Sequence, residues 1–489
     1  MADQIRGTAA PDQRRGSTPT VTEQTNAYRT ERDSMGEMQV PATALYAAQT
    51  QRAVENFPIS GRPLPPSLIH ALGAIKAAAA RANNGLGLLD DETADAITAA
   101  ATRVADGELD DQFPIDVFQT GSGTSSNMNA NEVIATLASR ALGRAVHPND
   151  HVNMGQSSND VFPSALHVAA LVGIEQALLP ALRRLHTSLA GRANAFDGVV
   201  KIGRTHLMDA VPIRLGQEFS GYARQIELAG ERLTACLPGL RELAIGGTAV
   251  GTGLNTHAHF GRRVAEDLGE RFGTGFIEAA NHFEAQGSRD AYVFAAGTLT
   301  TVASSLIKVA NDIRLLASGP QAGLGEIILP AIQLGSSIMP GKVNPVICES
   351  VIQVGVHVTG SCQAVVGGGQ WGQLDLNVML PMMGFNLLTS IDLLANASAT
   401  FAEKCIDGIV ANVDRCASYI EGSISMATAL NPLIGYERAA EIAKRAYAEG
   451  RTVRELAYET SGLRREQVDE AMDPYAQTVA GTLTGGSGG

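Results

Sequence analysis

Apolar residues recur at helical spacing over most of the chain, and the middle third carries the longest runs. From about residue 288 to 318 apolar side chains fall three and four positions apart, and Gly319-Pro320 closes the pattern. At 1.5 Å per residue, a helix of about thirty residues would span about 45 Å. It is apolar on more than one face, so we expect a bundle of long helices that other subunits extend.

Two further runs in the middle of the chain predict long helices. One has Asn159 or Asp160 as its N-cap and Pro163 in its first turn, where proline is tolerated. Another extends from Leu215 to Leu237 and is expected to stop before Pro238.

The two ends of the globular region also look helical. An Ala-rich run from about 67 to 106 breaks near Gly85, a helix follows over 131–142, and a helix-turn-helix pattern covers about 431–475. We therefore predict a mainly α protein with a central bundle of long helices. The predicted divisions are a flexible arm over 1–27, an N-terminal domain over 28–157, the bundle domain over 158–425, and a small C-terminal domain with a Gly/Ser tail over 426–489.

Composition narrows the function classes. The 489 residues are 45% hydrophobic and 18% charged, which is the balance of a globular chain. The net charge of −13 argues against a nucleic-acid backbone or an anionic membrane surface as partner. The net charge does not exclude a small anionic substrate, because hydrogen-bond donors within a site can bind an anion locally.

Cysteine usage and the N-terminus indicate the compartment. The five cysteines are an odd number without a C-x-x-C pair, so neither a disulfide framework nor a zinc or iron–sulfur cage is expected. The first residues lack an apolar core of a signal peptide, and no run of about 18 uncharged apolar residues occurs. We therefore expect a cytoplasmic protein that is neither secreted by a signal peptide nor membrane-spanning.

Two short motifs resemble ligand-binding sites, but a structural interpretation without a bound ligand fits each of them better. The stretch from Gly367 to Gly372 matches G-x-G-x-x-G, yet Pro381 follows where the helix of a dinucleotide fold should continue. His257 and His259 have the spacing of metal ligands, but no third ligand lies at helical spacing nearby. A surface loop is the better interpretation of the two histidines.

Four other stretches crowd small hydroxyls, amides and a titratable group beside a glycine or a helix start. Such loops offer backbone N–H groups and hydroxyls that bind carboxylates. Each alone is more often a turn or a cap, but together they form a constellation. The stretches are Gly121–Asn127, His147–Asp160, Gly203–His206 and Gly335–Pro345.

The last stretch, G-S-S-I-M-P-G-K-V-N-P, resembles the signature of the fumarase/aspartase superfamily. The chain is similar to class II fumarases from about Tyr28 to Tyr475, through VFQTGSGTSSNMN, HPNDHVN, QSSNDVFP, GRTHLMDAVP, LGQEFSGYARQ and GGTAVGTGLNTH. The resemblance implies the three-domain fold of that superfamily, with the long helices forming the core of a homotetramer whose active sites are shared between chains. It also implies no cofactor, no metal, and reversible anti addition of water across fumarate to give L-malate, a tricarboxylic acid cycle step.

The resemblance further assigns roles to particular residues. Ser336 would be the base that removes the C3 proton of malate, with Lys342 and Asn344 stabilising the aci-carboxylate intermediate. His206, oriented by Glu349, would act on the hydroxyl through a bound water. The residues implied to bind substrate are Ser122, Gly123, Thr124, Ser157, Ser158, Asn159, Thr205, Ser337, Lys342, Val343 and Asn344, and those of a secondary anion site are Arg144, His147, Pro148, Asn149 and Asp150.

Two alternatives remain open. An aspartate ammonia-lyase has similar motifs, but Ser122 and Ser158 stand where those enzymes tend to carry other residues, which favours a hydroxyl over an ammonium at the substrate. A non-catalytic structural protein on the same bundle, like the lens crystallins of the superfamily, would not need the residues implied in catalysis. Leu334 and Gly155 depart from the common pattern without touching a proposed donor.

Overall fold

A computed structural model of the chain describes residues 27–481. Apart from residue 27, the predicted flexible arm lies outside the described residues, as does the predicted Gly/Ser tail over 482–489. Helix accounts for 63% and strand for 9% of the structure, and each sheet within the described range has only two strands. The prediction of a mainly α fold is therefore confirmed.

The described chain opens with a β-hairpin and four helices. They are β1 (Tyr28–Asp33), β2 (Gly36–Pro41), α1 (Ala48–Asn56), α2 (Pro66–Gly85), α3 (Asp91–Ala105) and α4 (Thr124–Leu142). The Ala-rich run divides into α2 and α3 at the glycines, as predicted. The start predicted for α4 at residue 131 was wrong, because the hydroxyl-rich stretch forms its first two turns after Gly123, whose φ of 75° is left-handed.

The next part of the chain contains two helices of 27 residues, the longest in the described range. Its elements are α5 (Ser158–Gly173), α6 (Leu179–Ala195), β3 (Val200–Thr205), β4 (Met208–Arg214), α7 (Leu215–Arg241), β5 (Glu242–Leu243), α8 (Phe260–Phe272), β6 (Ile277–Glu278), α9 (His282–Gly287) and α10 (Asp290–Leu316). A π-helical turn over Ile174–Leu178 joins α5 to α6, so Ser158–Ala195 is one continuous helical stretch. The predicted limits of α10 are confirmed to within two residues at each end.

The remaining elements complete the bundle and form the C-terminal region. They are β7 (Ile327–Ile328), α11 (Val346–Gly369), β8 (Gly372–Gln373), β9 (Leu376–Asn377), α12 (Leu380–Lys404), β10 (Val410–Ala411), α13 (Val413–Gly422), α14 (Asn431–Ile434), α15 (Tyr436–Glu449), α16 (Val453–Thr460) and α17 (Arg465–Ala471). β3 pairs with β4, and β7 pairs with β10, both antiparallel.

Long helices pack side by side in the middle of the molecule. α10 packs along α7 and α11, while α12 packs along α11 and α6. Leu299, Leu306 and Ile313, spaced seven apart on α10, are fully buried. Burying one such side chain stabilises the fold by about 1.5–3 kcal/mol. The bundle helices belong to one large apolar core that also includes residues of the N-terminal helices, from Val40 to Ile409.

Two helix boundaries in the bundle differ from the prediction. Ser157 caps α5, not Asn159 or Asp160, because its hydroxyl accepts a backbone N–H while the Asp160 side chain accepts the N–H of Ser157. α7 does not stop before Pro238 but continues through it to Arg241. Leu240 beyond the proline is fully buried, and we attribute the continuation to that burial, which compensates for the missing hydrogen bond.

Two helical stretches, Ser158–Ala195 and Asp290–Leu316, are long and apolar enough by length and composition to cross a membrane. In their most apolar windows 61% and 56% of the residues are buried inside the fold. This burial is typical of core helices in a bundle.

A second, smaller core lies at the C-terminal end of the described chain. It contains buried residues between Ile420 and Met472, together with Ile202 from strand β3. The C-terminal helices thus have their own apolar centre, and strand β3 contributes to it. The domain limits at 158 and 426 stay predictions.

All five cysteines are free thiols and buried. In the G-x-G-x-x-G match, Gly367 and Gly369 end helix α11 and Gly372 begins the two-residue strand β8. The match does not lie between a strand and a following helix, so it lacks the geometry of a dinucleotide-binding loop. His257 and His259 lie exposed in the loop before α8, as interpreted from the sequence.

Candidate active site

The glycine-serine signature forms the loop between β7 and α11, and hydrogen bonds close its neck. The Gly335 amide donates to the Lys342 carbonyl at 2.8 Å, and Asn344 Nδ2 donates to the Gly335 carbonyl at 2.6 Å. A Cβ on Gly335 would lie 2.4 Å from the Lys342 carbonyl oxygen, so the crossing requires glycine. Asn344 therefore helps to shape the loop, and its amide keeps a second hydrogen for another acceptor.

The Ser336 hydroxyl lies inside this closed loop. Its Oγ accepts the backbone N–H groups of Ile338 at 3.2 Å and Met339 at 3.1 Å. Two N–H dipoles aimed at one oxygen stabilise negative charge on that oxygen. Lys342 on the same loop adds a cation, while Ser337 and Val343 are exposed.

His206 lies at the tip of the β3–β4 hairpin. Thr205 pairs with Met208 across the hairpin, and the two turn residues, His206 and Leu207, have φ of 57° and 63°. Positive φ at both positions defines a type I′ turn, which matches the twist of a hairpin but is strained for residues other than glycine, asparagine or aspartate. The hairpin thus holds His206 outward beside a leucine that is 75% exposed.

The starts of helices α4 and α5 lie side by side. Gly123 before α4 packs directly against the Phe162 ring of α5, since a Cβ there would meet the ring at 2.2 Å. Asn127 Nδ2 on α4 donates to Ser158 Oγ on α5 at 3.0 Å. The N-terminus of a helix carries partial positive charge and free backbone N–H groups, so two neighbouring helix starts favour a bound carboxylate.

Predicted substrate-binding residues surround these helix starts. Ser122 Oγ and Thr124 Oγ1 are 2.9 Å apart, and Ser157 caps α5. Asn159 Nδ2 donates to the carbonyl of Ala249 at 2.8 Å, which ties the start of α5 to the loop after β5. The structure therefore places the six residues predicted from the first two stretches at two neighbouring helix starts, and their binding of substrate stays a prediction.

A buried polar network beneath the helix starts was missed in the sequence analysis. Lys76 Nζ on α2 donates to Asn153 Oδ1 at 2.8 Å and to Gln156 Oε1 at 2.9 Å. Burial lowers the pKa of the fully buried Lys76 ammonium from 10.5 to about 7. A lone lysine inside the Ala-rich helix was the only sequence signal for it.

Asp160 on α5 is the acidic member of this region. Its carboxylate accepts the backbone N–H groups of Ser157, Gly246 and Thr248 at 2.9, 3.1 and 2.9 Å. Burial raises the pKa of Asp160 to about 6, against the opposing effect of these three donors. The carboxylate fixes the loop after β5 to the start of α5.

The predicted secondary anion site forms a π-helical turn over Pro148–Val152, with His147 Nδ1 accepting the Asp150 N–H at 3.1 Å. Arg144 Nη2 instead donates to Asp90 at 3.2 Å and Thr93 at 2.9 Å. The guanidinium is therefore directed to the start of α3. Anion binding by these residues stays a prediction.

The three groups of predicted residues form separate parts within one chain. Between residues 27 and 481, no side-chain hydrogen bond joins the signature loop, the hairpin tip and the paired helix starts to one another, and His206 does not contact Glu349 through one. No group of three or more His, Cys, Asp or Glu side chains that could hold a metal occurs in the described part of the chain. The available groups are therefore hydroxyls, amides, a lysine and a histidine.

The matching family models place the chain in a class of lyases. The family model described as "Lyase" matches residues 36–360, and the model described as "Fumarase C C-terminus" matches residues 426–478.

Individual relatives narrow this class. The "Fumarate hydratase class II" of Corynebacterium efficiens is 57% identical over 455 residues, which cover 92% of this chain and 96% of the relative. The protein of the same name from Halobacterium salinarum is 57% identical over 463 residues, 94% of this chain and 98% of the relative. A crystal structure of class II fumarase from Schistosoma mansoni superposes with a TM-score of 0.90 at 38% identity, covering 92% of this chain and 99% of that one. The chain belongs to the class II fumarate hydratase family.

Proposed function

We propose that the chain catalyses the reversible hydration of fumarate to L-malate by anti addition of water, a step of the tricarboxylic acid cycle. The observation that carries the proposal is the Ser336 hydroxyl, which accepts two backbone N–H groups in a loop that also presents Lys342. The names of the curated relatives support the same reaction.

Proton removal from malate is the difficult step. Ser336 as alkoxide takes the C3 proton, and the electron pair moves into the neighbouring carboxylate, which becomes an aci-carboxylate. Lys342 and Asn344 stabilise the charge that develops there. The paired starts of α4 and α5 hold substrate carboxylate through their N–H groups and hydroxyls.

Loss of the hydroxyl completes the reaction. The C2–O bond breaks, the aci-carboxylate electrons form the double bond, and the departing hydroxide takes a proton to leave as water. His206 supplies that proton through a bound water, and Glu349 orients the imidazole. Both groups act without a metal or an organic cofactor.

We further propose a cytoplasmic homotetramer whose active sites combine segments of different chains. The three separate parts of the site support this arrangement. Large apolar side chains beside two of those parts are exposed in the single chain, Leu334 at 87% and Ile338 at 83% on the signature loop, and Leu207 at the hairpin tip. A second subunit that covers them would complete the site.

Ultraviolet absorbance of fumarate tests the proposed reaction. The purified chain should form fumarate from L-malate and consume it in the reverse direction. Fumarate formation from aspartate with release of ammonia, and none from malate, would identify an ammonia-lyase instead. No reaction with either substrate by a folded tetramer would support the structural-protein alternative.

A further inference from the structure

Four charged side chains, two of them on strand β3 of the catalytic hairpin, form a largely buried cluster that the proposed mechanism does not use. We call Lys201, Arg204, Glu218 and Glu326 the charge cluster. Lys201 Nζ lies 3.0 Å from Glu326 Oε2 and 2.9 Å from Glu218 Oε2. Arg204 Nη1 lies 2.9 and 3.0 Å from the two carboxylate oxygens of Glu326.

The cluster is expensive to bury. The side chain of Lys201 is 1% exposed and that of Glu326 is 0% exposed. The two positive and two negative side chains give the cluster no net charge. The free-energy cost of removing these charges from water is nevertheless about as large as the stabilisation from their mutual attraction. Stability alone therefore does not account for the cluster.

Its members connect two catalytic segments of one chain. Lys201 and Arg204 lie on β3, and Arg204 directly precedes Thr205 and His206 at the hairpin tip. Glu326 directly precedes β7, the strand that leads into the signature loop with Ser336. The Glu326 carboxylate is thus the point at which the hairpin and the root of the loop meet.

The root of the loop is fixed independently from the other side. The Asn412 amide donates to the Glu326 carbonyl at 2.9 Å, and Arg415 Nε donates to the Leu324 carbonyl at 3.0 Å. The Tyr419 hydroxyl also donates to Leu324 O at 3.0 Å. Three contacts from the α13 region therefore hold the backbone around Glu326, and its carboxylate is an anchored acceptor for the hairpin.

Arg204 has a second constraint on the same side. Its guanidinium carbon lies 5.4 Å from the centre of the Tyr419 ring, so the cation is held between an aromatic face and the Glu326 carboxylate. The two turn residues that follow, His206 and Leu207, form the exposed tip of the hairpin and have strained positive φ. Neither makes a side-chain hydrogen bond to the rest of residues 27–481, so the direction of the tip depends on the strands that carry it.

We propose that Arg204, together with Lys201 and Glu326, is a positioning residue that aims His206 at the departing hydroxyl by tying the hairpin to the root of the signature loop. This proposal rests on the proposed hydration of fumarate. None of the three residues needs to touch substrate in this role.

Arg204→Met tests the role with the smallest threat to folding. Arg204 is 14% exposed, and its loss leaves Glu326 still paired with Lys201. We expect kcat to fall at least tenfold with KM within threefold, because misdirected His206 slows hydroxyl loss more than binding. Arg204→Lys keeps the positive charge and should recover at least part of the rate.

Proton exchange separates positioning from a general loss of folded enzyme. In D₂O, early in malate dehydration, deuterium at C3 of the remaining malate reports carbanion that returns to malate. If His206 is misdirected, exchange per fumarate formed should rise at least threefold in Arg204→Met, because the proton transfer at Ser336 persists while hydroxyl loss slows. A lower amount of folded enzyme would decrease exchange and turnover together and leave their ratio unchanged.

Asp197→Asn is the matched control. Asp197 pairs with Arg214 at 2.6 Å at the opposite end of the same hairpin and is 55% exposed. It should keep kcat and the exchange ratio within twofold of the unsubstituted chain. An unsubstituted chain without fumarase activity would refute the proposed function, whereas an active chain whose folded Arg204→Met tetramer keeps kcat or the exchange ratio unchanged would refute the positioning role.

Discussion

The Ser336 hydroxyl is the group on which the proposed chemistry depends most directly. Ser336→Ala should lower kcat by about 10²–10⁴, the usual contribution of a general base, with KM changed only a few-fold. Steady-state kinetics in both directions measure this. Ser350→Ala, an exposed serine on α11, serves as control and should keep normal rates. Near-normal turnover in Ser336→Ala would remove this hydroxyl from the mechanism.

Lys76 connects a buried charge to the pH dependence of stability. Its pKa is lowered from 10.5 to about 7 in the folded chain, so between these values the unfolded state binds more protons than the folded state. The contribution of this group to stability therefore rises with pH across that interval, by up to about 1.4 kcal/mol per pH unit. As the pH falls from 10.5 toward 7, the free energy of unfolding decreases by the same amount, because the unfolded chain takes up the proton that the buried amine does not.

Lys76→Met should flatten that dependence. Calorimetric Tm values at pH 7 and pH 9.5 give the measurement, and the increase between them should be smaller in the variant than in the unsubstituted chain. Lys444→Met removes an exposed lysine on α15 and should leave the increase as it was. An equal increase in all three proteins would mean that Lys76 stays protonated in the fold throughout this range.

At the scale of elements, the contact between the first site stretch and α12 depends on one glycine. A Cβ on Gly121 would lie 1.8 Å from the carbonyl oxygen of Val378, and the Leu380 amide donates to Gly121 O at 2.9 Å. Gly121→Ala must therefore push the Ser122–Thr124 stretch away from the start of α12.

We expect Gly121→Ala to lower Tm by several degrees and to raise KM, since overpacking costs about 1–3 kcal/mol and displaces substrate-binding hydroxyls. Gly191→Ala is the comparison, because that glycine lies exposed in α6 with nothing within 4 Å of its Cβ position. It should be neutral or slightly stabilising. Equal Tm and KM values for the two variants would contradict the close contact.

Some boundaries of the helices could be predicted from the sequence, and others depend on tertiary contacts. The limits of α10 followed from a long apolar period and a Gly-Pro stop, which are local signals. The cap at Ser157 and the continuation of α7 through Pro238 depend on side-chain hydrogen bonds and on burial of Leu240, which are tertiary. The β3–β4 hairpin was not predicted, because a His206-Leu207 turn lacks the Asn-Gly or Asp-Gly signal of a type I′ turn.

The candidate site divides in the same way. The hydroxyl-rich loops and the signature could be predicted as parts of the site from the sequence, because their hydroxyl, amide and glycine residues are types that bind carboxylates. Lys76 and Glu326 could not be found, since their partners lie far along the chain and only the fold brings them together. The proposed roles of the site residues rest on the family resemblance as much as on these contacts.

At the scale of the whole molecule, a shared site makes a prediction about mixed tetramers. His206→Asn and Ser336→Ala subunits should each be inactive alone. If the two residues of one site come from different chains, refolding equal amounts together should give an intact pair at about a quarter of the sites. Fumarate hydration per milligram, before and after mixing, measures the recovery.

Two controls make this experiment decisive. Native mass spectrometry must show mixed tetramers, and each variant refolded alone sets the baseline. Activity in verified mixed tetramers that stays at the baseline would place His206 and Ser336 in the same subunit. The shared-site proposal would then be wrong.

The place of Ile202 in the C-terminal core has a consequence for synthesis on the ribosome. Ile202 is synthesised 218 residues before Ile420, the first C-terminal member of that core. At 5–20 residues per second, this delay is roughly 10 to 45 seconds. During that interval Ile202 lacks the C-terminal residues with which it is buried in the folded chain, so the apolar packing of the hairpin that bears His206 can be completed only after the residues from Ile420 onward have been synthesised.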